Sequence, residues 1–211
     1  MSRQPWSFEE KAQELKKVLA ARNSGDGLQT FRVPFFGDVH TVGPERVTNN
    51  RNEEVTSAVA VLLMTWVLRD KAEPEDRPPV WIGFRECREA GPLMGYFQEN
   101  TAKTLERSFE GQMDGLKAAA LALGSEVVHG DPGFDLSLVF RAFPGLPVLL
   151  RFSDREDGMP ASCQILFPES AQDRLDIRCL GVIGTWLTGG LIGQTGRLLN
   201  LRHSVFRDAF P

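Results

Sequence analysis

Apolar residues recur along this chain at two spacings, and the switches between them mark out its elements. Phe8, Ala12, Leu15, Val18 and Leu19 fall on one helical face, which predicts an amphipathic helix over Phe8–Arg22. Ser7 followed by Glu10 is a capping-box pattern at its start, and the turn residues of 23–27 end it. Residues 28–36 alternate in part and are rich in aromatic and β-branched side chains, the pattern of a strand. Gly37-Asp38 then reads as a hairpin turn, with the return strand over 39–42. A second helix is predicted over 53–70, with Asn52 as its cap and Glu53 and Glu54 at its positive end. Its run from Ala58 to Met64 is apolar nearly all round, so this helix belongs at the centre of a core.

A charged, proline-rich stretch at 71–79 reads as a surface connection, with a domain boundary as the alternative. Residues 80–84 suggest a short strand, and Gly91-Pro92 breaks the chain again. From 101 to 123, Leu105, Phe109, Met113 (or Gln112), Leu116, Ala119 and Ala120 recur near helical spacing. An interruption is expected at Gly111 or Gly115, with Gly124 just past the helix end. Strands follow at 126–129 and 134–143, separated by Gly130-Asp131-Pro132-Gly133. The rest of the chain is organised around 141–169. Apolar runs at 146–152 and 162–167, each bounded by proline, predict two paired strands buried on both faces. Their turn, 153–160, holds Asp154, Glu156, Asp157 and Gly158 and reads as a solvated loop. Beyond it come a loop or short helical turn at 169–174, a helix at 177–188, a glycine-loosened stretch at 189–196 and a last amphipathic piece at 197–206. This order is that of the α+β class, with a mixed or largely antiparallel sheet packed against several helices.

Composition narrows the kind of protein without changing the fold. The chain has 211 residues, 42% hydrophobic and 25% charged, ordinary proportions for one globular domain spanning residues 1–211. A formal net charge of −4 argues against a general nucleic-acid binder, whose footprint is a basic face. Cys87, Cys163 and Cys179 stand apart with no C-x-x-C spacing, which suits a reduced cytoplasmic setting and neither a metal cage nor a disulfide framework. His40, His129 and His203 form no H-x-x-x-H or H-E-x-x-H pattern, so folding without iron or zinc is expected. The start of the chain lacks an apolar leader, and the longest apolar stretch, 55–68, is shorter than the roughly 20 residues of a membrane span. A soluble cytoplasmic protein with no membrane partner is the expectation. In the tail 197–211, Leu198, Leu201, Val205 and Phe206 fall near one helical face. The tail should dock on its own domain, with docking on a second copy, in a homodimer, as the rival.

Met64-Thr65-Trp66-Val67-Leu68, Trp81-Ile82-Gly83-Phe84-Arg85 and Leu123-Gly124 stand in that order ahead of Pro144-Gly145-Leu146-Pro147-Val148, Met159-Pro160-Ala161-Ser162 and Ile165-Leu166-Phe167. Together they resemble an uncharacterised family, found mostly in anaerobic prokaryotes and known as a domain of unknown function, over residues 31–187. The resemblance implies no established activity. Some relatives carry an added iron–sulfur cluster-binding domain, or are associated with corrinoid and one-carbon metabolism. Relatives tend to have a more acidic turn before the Met-Pro pair and an aspartate after Ile-Leu-Phe. Here the turn is Asp154-Arg155-Glu156-Asp157, and Pro168 replaces that aspartate. Three scattered cysteines cannot reproduce a cluster domain.

His129 lies at a predicted strand end before Gly130-Asp131, where a loop could present a histidine and a carboxylate as an acid–base pair. The competing reading is a turn in which Asp131 bonds its own backbone. His129 and Asp131 are therefore the catalytic candidates. Arg85, Tyr96 and Arg151 are the candidates for contacting a cofactor or ligand, whose identity the sequence leaves open. Residues 91–97 read as a lid with aromatic anchors or as a packed loop. Gly190, Gly193 and Gly196 superficially suggest a phosphate loop, but they fit neither glycine-rich fingerprint and follow a helical pattern. Cys87 sits among Arg85, Glu86, Arg88 and Glu89, and the acids work against a lowered thiol pKa. Ser137 and Ser162 lack a G-x-S-x-G setting. With no catalytic constellation, the expected role is an accessory module that binds a small molecule or a protein partner. The resemblance links such a module to anaerobic cofactor or one-carbon metabolism. The alternatives are an enzyme using His129 and Asp131, and a structural subunit docking through its C-terminal tail.

Overall fold

A computed structural model of the chain describes residues 6–22, 30–69, 78–156 and 158–196. The chain forms two compact units that divide between Glu73 and Pro74, inside the charged, proline-rich stretch. Helices combine with two antiparallel sheets, so the fold class is α+β.

The first unit holds α1 (Phe8–Arg22), β1 (Phe31–Phe35), β2 (Asp38–Val42), β3 (Val47–Thr48) and α2 (Ser57–Arg69). Ser7 caps α1 as its pattern predicts, its hydroxyl accepting the Glu10 N–H at 3.2 Å, and Ala12, Leu15 and Leu19 are buried. The register of β1 and β2 pairs Phe35 with Asp38, so the hairpin turn is Phe36-Gly37, one residue earlier than expected. Both turn residues take positive φ, 46° and 83°, the mirror-image geometry that suits strand twist. α2 starts later than predicted. Asn52 stands in the left-handed region at φ 61°, and Thr56 supplies the cap, its Oγ1 accepting the Val59 N–H at 3.4 Å. Asn49 Oδ1 accepts the N–H groups of Arg51 and Glu53, which holds 49–53 as a turn in place of a first helical turn. From Ala58 to Trp66, α2 is buried, and it packs on α1, β1 and β2.

The second unit contains β4 (Trp81–Gly83), two 3-10 turns (Phe84–Glu86 and Gly91–Leu93), α3 (Met94–Asn100), α4 (Ala102–Phe109) and α5 (Met113–Ala122). It continues with β5 (Glu126–Val128), β6 (Leu136–Phe143), β7 (Leu146–Ser153), β8 (Ser162–Pro168), α6 (Ala171–Arg174) and α7 (Ile177–Gln194). Its sheet runs β4-β8-β7-β6-β5, which puts the predicted pair of apolar strands, β7 and β8, in the interior of the sheet. Register decides the two faces. Leu136, Phe152 and Cys163 align across the sheet, as do Leu138, Leu150 and Ile165, and all six are buried. Phe167 lies on this same face, with the Phe97 ring of α3 at 6.3 Å, so this is the helix-covered side. The opposite face carries the row Ser137–Arg151–Gln164. Pro147 sits where the β6–β7 register shifts, a position that tolerates the missing N–H.

Two helical findings differ from the sequence pattern, at 91–97 and in α7, while the break and the end of the 101–123 stretch follow it. Residues 91–97 form a 3-10 turn and the start of α3, with Phe97 stacked on Phe84 at 3.8 Å. The break in 101–123 falls at Gly111, φ 67°. α5 then ends as expected at Gly124, φ 77°, where the N–H of Ser125 reaches the Ala120 carbonyl at 3.1 Å and that of Gly124 the Leu121 carbonyl at 3.0 Å. Lastly, α7 runs unbroken through Gly189, Gly190 and Gly193 for 18 residues, where loosened chain was expected. Glycine is a poor helix former, but α7 is buried over most of its length and packs on α3, α4 and α5. Packing overrides propensity here. A Cβ on Gly184 would lie 2.5 Å from the Phe97 ring, so the close approach itself requires glycine. No helix among the described residues is long and apolar enough to cross a membrane. The amphipathic tail predicted from 197 onward lies outside the described residues.

Candidate functional site

α5 passes through its glycine cap almost directly into β5, and the loop 129–135 leads from β5 to β6. Gly130 and Gly133 take φ of 75° and 87°, a region that side chains rarely adopt. Three contacts fix the loop. The Asp131 carboxylate is bound by Ser137 and Arg151, the Ser153 hydroxyl donates to the Gly133 carbonyl at 3.4 Å, and Asp135 Oδ2 accepts the Asp154 N–H at 2.8 Å. Alongside lies an open groove of about 430 Å3. Its lining joins apolar Val127, Val128, Phe134 and Leu136 to Lys117 from α5, His129 and Asp135.

The Asp131–Arg151 pair is the most fully bonded polar feature here. Arg151 Nε donates to Oδ2 at 2.7 Å and Nη2 to Oδ1 at 3.0 Å, while Ser137 Oγ donates to Oδ2 at 2.8 Å. The two charged side chains are only 26% and 12% exposed, and the guanidinium lies over the Phe134 ring at 5.1 Å. Burial alone would raise the Asp131 pKa. The hydrogen bonds from Ser137 and Arg151, with the guanidinium charge, outweigh it and hold the carboxyl below its ordinary value. Such a group is ionised at neutral pH and poorly suited to take up a proton.

His129 is exposed on the groove wall, and among the described residues no hydrogen bond joins it to Asp131. The carboxylate therefore goes neither to the histidine nor to its own backbone, the two arrangements the sequence suggested. Of the other candidates, Arg151 joins Asp131 in one network. Arg85 is exposed in the 3-10 turn after β4, Tyr96 is half-buried on α3, and neither lines the groove. Ser137, Phe134, Lys117 and Asp135 were not read as ligand-contacting residues. The signal for Ser137 was present, because alternation along Leu136–Phe143 puts it on the face opposite Leu138. Its partner Arg151 needed the strand register.

The acidic turn is more than a solvated loop. Asp154 Oδ1 accepts the N–H of Gly111 at 2.7 Å and of Arg155 at 2.7 Å, tying the turn to the break between α4 and α5. Asp157 lies outside the described residues. Two of the thiols are not poised for chemistry. Burial and the Glu86 charge push Cys87 up to about 11, and burial, then the Glu106 charge, push Cys163 higher still. Among the described residues no group of three or more His, Cys, Asp or Glu side chains is placed to hold a metal ion.

Residues 11–189 match the family model described as Domain of unknown function (DUF3786), a span that enters both compact units. No curated protein and no solved structure matches the chain.

Proposed function

As the chain belongs to this family of unknown function, we propose its role from the groove: it is an accessory module that binds a small ligand beside the 129–135 loop. The observation that carries this is the Asp131 latch, 2.7 Å to Arg151 and 2.8 Å to Ser137, which fixes the loop before any ligand arrives. A site already formed loses less ordering entropy on binding. The groove volume of about 430 Å3 falls in the roughly 300–1,000 Å3 range of small-molecule sites, which combine apolar walls with a few polar groups. Val127, Val128, Phe134 and Leu136 would take the ligand's apolar body, with Lys117 and His129 meeting its polar end. Binding is preferred to acid–base catalysis because the carboxylate that catalysis would use is already engaged. A cytoplasmic setting, and a place in anaerobic cofactor or one-carbon metabolism, belong to the same proposal and rest on cysteine usage and on the family resemblance.

The test is a thermal-shift screen of the full chain against a panel of small metabolites, repeated on the double variant Lys117→Ala/His129→Ala. Both positions are exposed, so the variant should melt close to the parent. At least one compound is expected to raise the parent's Tm and to lose that effect in the variant. No stabilising compound, or stabilisation that survives in the variant, overturns the groove reading.

A further inference from the structure

We infer that the row Ser137–Arg151–Gln164 of the five-stranded sheet carries a second subsite, centred on Arg151, that takes the carboxylate of a small molecule. Arg151 does not line the groove, although Asp131 and Phe134, which hold it, do. Asp131 engages one edge of the guanidinium, Nε and one N–H of Nη2. The other edge, Nη1 with the second N–H of Nη2, has no partner among the described residues, and none of these nitrogens is buried and unpaired. That leaves an open fork of two parallel N–H groups, the shape that matches a carboxylate.

The fork is also held still. Bidentate pairing to Asp131 and the Phe134 ring at 5.1 Å immobilise a side chain that otherwise loses rotamer freedom on capturing an anion. Donors stand around it. Gln164 is the direct cross-strand partner of Arg151, it is exposed, and its amide makes no hydrogen bond among the described residues. Directly opposed residues have Cβ atoms about 5 Å apart, so the amide reaches a group seated on the fork. Ser162, on the same face and exposed, pairs with Ser153 one row along. Charge then selects within the oxyanions. Asp131 already balances the guanidinium, so a ligand on the fork brings excess negative charge, twice as much for a dianion as for a planar monoanion that makes the same two hydrogen bonds. A latch alone would need only the edge that Asp131 uses.

The full chain, 15N-labelled, is titrated with sodium acetate, with inorganic phosphate and with sodium chloride at matched ionic strength, following the side-chain N–H signals of Arg151 and Gln164. A saturable shift with acetate, weaker with phosphate and absent with chloride, is expected. Its midpoint should rise at least about fivefold in Gln164→Ala, the loss of one hydrogen bond. Gln164 is exposed, so this variant keeps its fold, as its backbone amide spectrum will show, whereas Arg151→Lys also disturbs the latch and serves as the second variant. An equal response to chloride, tighter binding of phosphate, or an unchanged midpoint in Gln164→Ala overturns the inference.

Discussion

His40 shows how much one side chain's surroundings add to its identity. The residue is 4% exposed, with Nδ1 3.3 Å from the Asp38 carbonyl and the Phe35 ring centred 5.9 Å from its own. Burial lowers its pKa, against the raising effects of the Asp38 backbone bond and the Asp38 charge. The unfolded chain therefore takes up a proton on this histidine at higher pH than the folded one does. Stability from the neutral ring is complete above about pH 6.5 and is lost as pH falls through the lowered folded value. Urea unfolding should show a flat midpoint above about pH 7 and a decline as pH falls below about 6.5. His40→Gln should flatten that decline, and an undiminished slope in the variant would assign it to another group. Asp131, also lowered, contributes in a separate window. Its stabilisation is present above about pH 3.9 and disappears as pH falls through the folded value.

At the scale of elements, α7 separates two uses of glycine within one helix. A Cβ on Gly184 would meet Phe97 Cε2 at 2.5 Å and Cζ at 2.9 Å, inside a ring held in a stack. Gly184→Ala should therefore destabilise by about 1–3 kcal/mol, the usual penalty of overpacking. Gly189 has open space at the same position, so Gly189→Ala should stabilise by about 0.5–1 kcal/mol through helix propensity alone. Guanidinium chloride unfolding of both variants checks this pair, and equal effects would mean that α7 does not pack as described. The helix ends were legible where a few neighbouring residues decide them, as at Ser7 and Gly124. They were misread at Asn52 and Gly189, where a turn network and burial compete with the local signal.

For the molecule as a whole, two compact units meet in sequence between Glu73 and Pro74, while the family model runs from 11 to 189 across that division. A family unit that includes both argues for one folding domain, and we propose that the chain unfolds as one. Scanning calorimetry should then show a single transition with equal calorimetric and van't Hoff enthalpies. Two resolved transitions would make the units separate domains, with the charged stretch as their linker.

The sequence by itself determined the α+β class, the cap of α1, the buried run of α2, the glycine stop of α5 and the two apolar strands in the sheet's interior. Each is written in a local period or a short capping pattern, which needs no knowledge of what lies across from it. It also picked out Asp131 and Arg151, separately, as residues of interest. Only the tertiary structure joined them, because their contact depends on the β6–β7 register, a shift near Pro147 and two left-handed glycines that bend the loop. The same holds for the groove, for the role of Asp154 as a tie to Gly111, and for the glycines of α7. In each case the deciding partner lies far along the chain, and the spacing of nearby residues carries no record of it.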